Sequence, residues 1–167
     1  SPKATQMLAL DNGPEALQRT DNLLLVAGRH ALLTASVAEP KRPRLLGGFS
    51  QECPAFSDPV EVEGKYAYRT VVTEETPTCN SRLEVIDLAE PHHPQKIREV
   101  ELTKPRGVAL LGQKLFVANE TNGIRLYSLE DPTALDLIGK WPLTGVKDLV
   151  ISDFDLYGMT PTRIKTY

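Results

Sequence analysis

An all-β fold built from stacked four-stranded sheets is predicted by three observations. Strand-like apolar runs recur in groups of four along the 167 residues. Each group ends on an equivalent proline-marked turn, and no window of ten or more residues carries a helical period. The third strand of each group is apolar on both faces, so it must be covered on both.

The repeat is clearest at the prolines. Leu32-Leu33-Thr34-Ala35-Ser36-Val37-Ala38-Glu39-Pro40, Leu83-Glu84-Val85-Ile86-Asp87-Leu88-Ala89-Glu90-Pro91 and Ile124-Arg125-Leu126-Tyr127-Ser128-Leu129-Glu130-Asp131-Pro132 align on their last residue. A second proline follows in the first two copies, Pro43 and Pro94. These account for part of the proline content, 13 residues or roughly 8% against a usual 5%. Fixed φ and a missing N–H at such a spacing exclude long helices.

Each segment is a third strand, c. A fourth strand, d, follows it at Leu45-Leu46, Ile97 to Leu102, and Leu137-Ile138. A second strand, b, precedes it at Leu23 to Ala27, Tyr66 to Val71, and Leu115 to Ala118. A first strand, a, lies at Ala16-Leu17, Val60 to Val62, and Val108 to Leu111. In strand c of the second copy, Leu83 and Val85 point one way, and Ile86 and Leu88 the other. A four-stranded unit of about 40 residues, stacked between neighbours on both faces, is a β-propeller blade.

A fourth copy begins at Val146 to Ile151 and Leu156 to Met159. It stops within strand c, where Arg163-Ile164-Lys165-Thr166-Tyr167 aligns with Gly123 to Tyr127. Gln6 to Leu10 is the candidate for its missing outer strand, which would close the ring and leave no raw edge. The expected division is residues 1–12 as closing strand, 13–52, 53–103 and 104–144 as blades, and 145–167 as a partial blade. Four blade equivalents admit three closures: alone, by pairing of two chains, or as part of a larger propeller whose chain continues past Tyr167. The start at Ser-Pro-Lys-Ala-Thr, with the first methionine at Met7, is expected of a processed or trimmed form.

Leu83-Glu84-Val85-Ile86-Asp87 and Ile124-Arg125-Leu126-Tyr127, each followed by a proline turn, resemble the LVIVD-repeat family of β-propellers. So do Asp58-Pro59-Val60-Glu61-Val62 leading into Tyr66-Ala67-Tyr68, and Leu115 to Asn119 before the turn at Gly123. The motif aspartate is kept at Asp87 and is Ser36 and Ser128 in the other copies. The resemblance implies a propeller in an exported or envelope-associated bacterial or archaeal protein. It implies no particular reaction, because function lives in sites grafted on folds.

Cys53 falls in a d–a loop and Cys79 in the next b–c loop. Both loop types emerge on one face of a propeller, so the two thiols can meet. A Cys53–Cys79 disulfide in an exported protein is therefore the expectation, with two free thiols in the cytosol as the alternative. The sequon Asn119-Glu120-Thr121 matters only for a eukaryotic secretory protein.

Net charge is −3 with a pI near 5.6, which argues against nucleic-acid binding. No stretch approaches the ~20 apolar residues of a membrane helix. No nucleophile elbow, phosphate loop, EF-hand or zinc spacing occurs, so no catalytic residue, metal ligand or cofactor is assigned. His92 and His93 sit in a c–d turn, and adjacent turn residues rarely converge on one ion. Glu90, Glu130 and Asp131 precede turn prolines and read as turn acceptors. The a–b hairpin containing Asp153 and Asp155 reads the same way.

Binding candidates come from geometry. Counting nine residues back from each b strand puts Pro14, Ser57, Arg106 and Lys147 at equivalent places on the channel-lining strands. Arg106 and Lys147 then set two positive charges at the channel mouth, where an anion or acidic peptide would bind. Arg29 and His30 lie in a b–c loop, on the cysteine face. The function expected is a non-enzymatic extracytoplasmic binding or scaffold propeller, with a protein or small anionic ligand on one face and a homodimer as one way to complete the ring. A lyase or hydrolase completed by residues outside this chain, and a structural envelope or adhesion repeat protein, are the alternatives.

Overall fold

The computed structural model describes residue 10, residues 13–74, residue 76 and residues 78–167, leaving out the side chains of residues 57–59. Apart from Leu10, the proposed closing strand Gln6 to Leu10 lies outside the described residues.

Four antiparallel sheets follow one another along the chain. Blade 1 is β1 (Pro14–Thr20), β2 (Leu23–Gly28), β3 (Ala31–Ser36) and β4 (Arg44–Ser50). Blade 2 is β5 (Ala55–Glu63), β6 (Tyr66–Thr73), β7 (Arg82–Asp87) and β8 (Gln95–Glu101). Blade 3 is β9 (Pro105–Leu110), β10 (Lys114–Asn119), β11 (Gly123–Ser128) and β12 (Leu137–Trp141). Blade 4 has β13 (Asp148–Ser152), β14 (Asp155–Met159) and β15 (Ile164–Thr166). Strands are neighbours in sheet order as in sequence, so every connection within a sheet is a hairpin.

The same local chemistry builds each c–d turn. Glu39, Glu90 and Asp131 each offer a backbone C=O to the N–H three residues on, at Arg42, His93 and Ala134. Pro40, Pro91 and Pro132 occupy the second turn position, where φ near −65° is wanted. The departures from the repeat motif are functionally equivalent in the turn. Ser36 Oγ, Asp87 Oδ1 and Ser128 Oγ each accept the amide two residues on, from Ala38, Ala89 and Glu130. What the position requires is a short side-chain acceptor. Each c–d pairing also breaks register at an equivalent place, between Thr34 and Ala35, Val85 and Ile86, and Leu126 and Tyr127.

Blades are held to one another by three apolar seams. Leu25, Ala27 and Leu32 of blade 1 meet Val60, Ala67, Ile86 and Leu88 of blade 2. Tyr68, Leu83 and Val85 of blade 2 meet Val108, Leu115 and Val117 of blade 3. Phe116, Ala118 and Ile124 of blade 3 meet Leu149 and Leu156 of blade 4. The two faces of β7 thus enter two different seams, as the alternation of Leu83/Val85 and Ile86/Leu88 predicts. The inner strands pack in the sequence β1 on β5, β5 on β9 and β9 on β13. Among the described residues no equivalent packing joins β13 to β1, and no apolar seam joins blade 4 to blade 1. Among the described residues the four blades form an open arc.

One seam contains a charge pair. Arg69 on β6 and Glu84 on β7 are fully buried, with Arg69 Nη2 2.7 Å from Glu84 Oε2. Arg82 Nε donates to Glu84 Oε1 at 2.7 Å. The Arg69 guanidinium carbon lies 5.5 Å from the centre of the Phe49 ring in blade 1. Burial pushes the Glu84 carboxyl up, but Arg69 and Arg82 outweigh it and hold it below the ordinary range. Sequence alternation places Glu84 on the face of Ile86 and does not foresee that a carboxylate there is out of water.

Replacing Glu84 by Gln leaves Arg69 buried without a counter-charge, and should cost about 3–5 kcal/mol in urea unfolding. Because the folded carboxyl is depressed, its contribution is complete above the ordinary value of 4.5 and is lost as pH falls through and below it. Urea midpoints between pH 7 and pH 3 should therefore fall less steeply in Glu84→Gln than in the parent. Equal slopes would show that the pair is not a source of the acid sensitivity.

Candidate functional site

The loops that leave β2 and β4 and the long loop after β6 share one face of the arc, and the disulfide Cys53–Cys79 joins two of them. The Cα atoms are 5.9 Å apart and the bridge spans 26 residues of sequence. Around it the loops are fastened by backbone bonds: Gln51 N–H to His30 O at 2.8 Å, and Ala55 N–H to Arg29 O at 3.1 Å. Thr73 Oγ1 donates to Cys79 O at 2.9 Å, and the Thr73 N–H to Ser81 Oγ at 3.1 Å. These bonds explain how an insertion of loop residues in the second copy keeps a defined shape.

A recess of about 320 Å³ opens beside the bridge, lined by Arg29, Cys53, Pro54, Phe56, Val72, Glu74 and Cys79 among others. Arg29 pairs with Glu15 at 3.2 Å, and its guanidinium carbon sits 4.5 Å from the centre of the Phe56 ring. Phe56 is 53% exposed, although it lies on a strand whose neighbours Ala55 and Val60 are buried. An aromatic ring capped by a guanidinium, next to a rigid covalent rim, is the kind of anchor protein interfaces use. Sequence reading placed Arg29 and His30 on the cysteine face, and the structure puts them there. His30 is exposed and holds its loop through its backbone carbonyl. Phe56 was not singled out; the signal available was an aromatic next to a proline-cysteine loop.

The channel side is different. Arg106 lies on β9 and Lys147 just before β13, and the fold brings them together, as the count from strand b suggests. Between them stands Glu120, at the end of β10. Arg106 Nε and Nη2 donate to Glu120 Oε2 at 3.0 and 2.9 Å, and Lys147 Nζ lies 2.5 Å from Oε1. Hydrogen bonds from Lys147 and Arg106 hold the Glu120 carboxyl below its ordinary range. Backbone bonds from Glu120 N–H to Lys104 O and from Gly145 N–H to Glu120 O fix the residue. Further along the inner strands, the Glu61 carboxyl on β5 is raised, first by burial and then by the negative charge of Asp148 on β13. An anion at Arg106 and Lys147 would have to displace Glu120 and approach these carboxylates. The inner strands are close enough that Gly107 permits no Cβ: one would fall 2.3 Å from Asp148 Oδ1 and 2.6 Å from its Cα.

The remaining candidates settle into structural places. His92 and His93 are exposed in the c–d turn, with His92 Nδ1 3.2 Å from Leu46 O of blade 1. Asp131 Oδ1 accepts from Thr133 N at 2.9 Å and Thr133 Oγ1 at 2.6 Å, and these bonds lower its pKa. Asn119 of the sequon is buried, and its Oδ1 accepts from Thr121 Oγ1 at 3.2 Å. Among the described residues no group of three His, Cys, Asp or Glu is placed to hold a metal ion. None of their helices is long and apolar enough to cross a membrane.

Solved structures resembling the chain are β-propellers. The computationally designed Ika4 protein superposes with a TM-score of 0.70 at 9% identity, covering 100% of this chain and 98% of that one. BamB from Moraxella catarrhalis gives 0.66 at 11% identity, over 90% of this chain and 42% of BamB. The designed Ika8 protein gives 0.65 at 10% identity, over 91% of this chain and 44% of that one. The fold is therefore that of a β-propeller, and the chain spans less than half the length of BamB and Ika8. No family model matches the sequence, and no curated protein matches it.

Closing a 26-residue span is worth about 3.5 kcal/mol in the chain-entropy account. The double substitution Cys53→Ser with Cys79→Ser should lower unfolding stability by that order and loosen amide protection at Ala55 and Thr73. A variant as stable as the parent would mean that the loop bonds alone hold this face.

Proposed function

We propose that the chain is a non-enzymatic binding or scaffold module of an extracytoplasmic propeller, which docks a protein segment on the face carrying Cys53–Cys79, Arg29, His30 and Phe56. The observation that carries this reading is the exposed Phe56 ring under the Arg29 guanidinium, 4.5 Å away, at the rim of a recess stiffened by a disulfide. Exposed aromatics and arginines concentrate binding energy in protein interfaces. A bridge between the loops means that binding does not have to order them first.

Two features support a location outside the reducing cytoplasm. One is the disulfide, which persists in oxidising compartments. The other is the resemblance of Leu83 to Asp87 and Ile124 to Tyr127 to LVIVD repeats, whose proteins are mostly exported or envelope-associated. The propeller fold is compatible with scaffold work, since it offers broad rigid faces with loops grafted on them.

Panning a phage-displayed random peptide library on the oxidised chain tests the reading. Enriched peptides should lose about tenfold or more in affinity on Phe56→Ala, the loss expected of an interface anchor, and should lose affinity on Arg29→Ala as well. Both side chains are solvent-accessible, so the variants should fold. Peptides that bind both variants as tightly as the parent would place docking elsewhere and overturn the proposal.

A further inference from the structure

Two recesses adjoin the Cys53–Cys79 bridge. Cys53 lines both, and the second, of about 280 Å³, is also lined by Gln51, Glu52, Arg82, Lys96 and Glu99. The cations there are already matched. Arg82 Nε pairs with Glu84 Oε1 at 2.7 Å, and Lys96 Nζ with Glu99 Oε2 at 2.6 Å. In the first recess Arg29 pairs with Glu15. Glu74 of the first recess and Glu52 of the second are exposed. Neither takes part in an ion pair among the described residues. The charges left without a counter-ion around the bridge are therefore both carboxylates.

A neutral acceptor adds to them. Gln51 Nε2 donates to Gly28 O at 2.6 Å, which fixes the orientation of the amide. Its Oε1 is buried and has no hydrogen-bond partner. A buried oxygen in that state costs free energy that an N–H donor would recover. In the first recess the Phe56 ring is half exposed and already carries one cation, the Arg29 guanidinium. A ring beside a carboxylate suits an apolar side chain with a positive one next to it.

We infer that the segment docking on this face is basic, with lysine or arginine side chains flanking an apolar one. The apolar residue covers the exposed part of Phe56, one cation meets Glu74, and another meets Glu52 and Gln51 Oε1. The inference rests on the docking role proposed for the Phe56 face and names the chemistry of its partner. Charge complementarity selects the occupant. An acidic segment would face Glu52 and Glu74, and every cation lining the two recesses is already bound to a carboxylate. A neutral segment would desolvate both carboxylates without answering them. A free amine would answer one carboxylate and leave the ring uncovered, whereas a peptide segment carries both groups on one chain. The preference is the reverse of the one expected on the channel side, where Glu120 already holds Arg106 and Lys147.

Two phage-displayed peptide libraries of equal length and apolar content provide the test. One fixes Lys or Arg on either side of a Phe or Leu, and the other fixes Asp or Glu there. Panned on the oxidised chain, the basic library alone should yield binders. Their affinity, read by fluorescence polarisation, should fall about tenfold on the double reversal Glu52→Lys with Glu74→Lys, and about threefold on Glu52→Gln or Glu74→Gln. It should also fall as salt rises from about 50 to about 500 mM. Both glutamates are exposed, so circular dichroism of the variants should match the parent. Binders drawn equally from both libraries, or basic binders indifferent to the reversal, overturn the inference. If such binders still weaken on Phe56→Ala, the docking role stands without it. Basic binders that weaken on the reversal but not on Phe56→Ala overturn the docking role, and with it the place assigned to the apolar residue. No binder from either library also overturns the inference, and panning with the random library then tests the docking role by itself.

Discussion

A blade that is apolar on both faces cannot rest on itself. Its stability has to come from the neighbours on either side, and every other feature of this protein follows from supplying them. Burying a large aliphatic side chain is worth roughly 1.5–3 kcal/mol. The first two seams collect several from strands b and c of one blade and strands a, b and c of the next, and from blade 4 the third draws only on strands a and b and on Val146 before them. The period of the sequence is therefore the period of this mutual burial. On the outer faces of blades 1 and 4, Leu17 and Ile164 hold interior residue types at exposed positions, while Val26 and Ala35 of blade 1 are buried.

Turns and charges are fitted around the seams. The proline turn lets strand d fold back at the outer edge, and a short acceptor at residue 36, 87 or 128 fixes it from within. This is why aspartate and serine interchange there without loss. Thr34 and Thr70 reach across seams to Pro91 O at 2.5 Å and Arg106 O at 2.7 Å, tying neighbouring blades by hydrogen bonds as well as by contact. Arg69 and Glu84 are the exception to an apolar seam. Two charges can be kept there only because they meet each other, Arg82 and the face of Phe49. Both charges belong to blade 2, and removing Glu84 leaves Arg69 buried and uncompensated.

The two sides of the arc differ in chemistry. On the channel side, cations and carboxylates are close enough to satisfy one another, and Glu120 absorbs both Arg106 and Lys147. On the loop side, the disulfide and backbone bonds take over the work of holding the loops, which leaves the Phe56 ring and part of Arg29 open to solvent. A rigid scaffold with an accessible anchor is a cheaper starting point for recognition than a flexible loop, because less order is lost on binding.

Strand order, blade number and turn positions were determined by the sequence alone, because alternation and proline restrict the backbone locally. The meeting of Cys53 and Cys79, and of Arg106 and Lys147, was also legible, since loop types and repeat positions share faces of the arc by topology. Tertiary structure decided the rest. Glu120 stands between the two cations because a strand end turns back towards the axis, which no spacing announces. Glu84 is buried as a carboxylate because Arg69 and Arg82 converge on it from two positions on neighbouring strands. Phe56 is exposed, although it shares a strand with buried residues, because its side of β5 opens at the disulfide recess. The opening of the arc, too, is set by the angle between blades. That angle depends on how the side chains of three seams pack together, a sum of many small contacts rather than a property of any one segment.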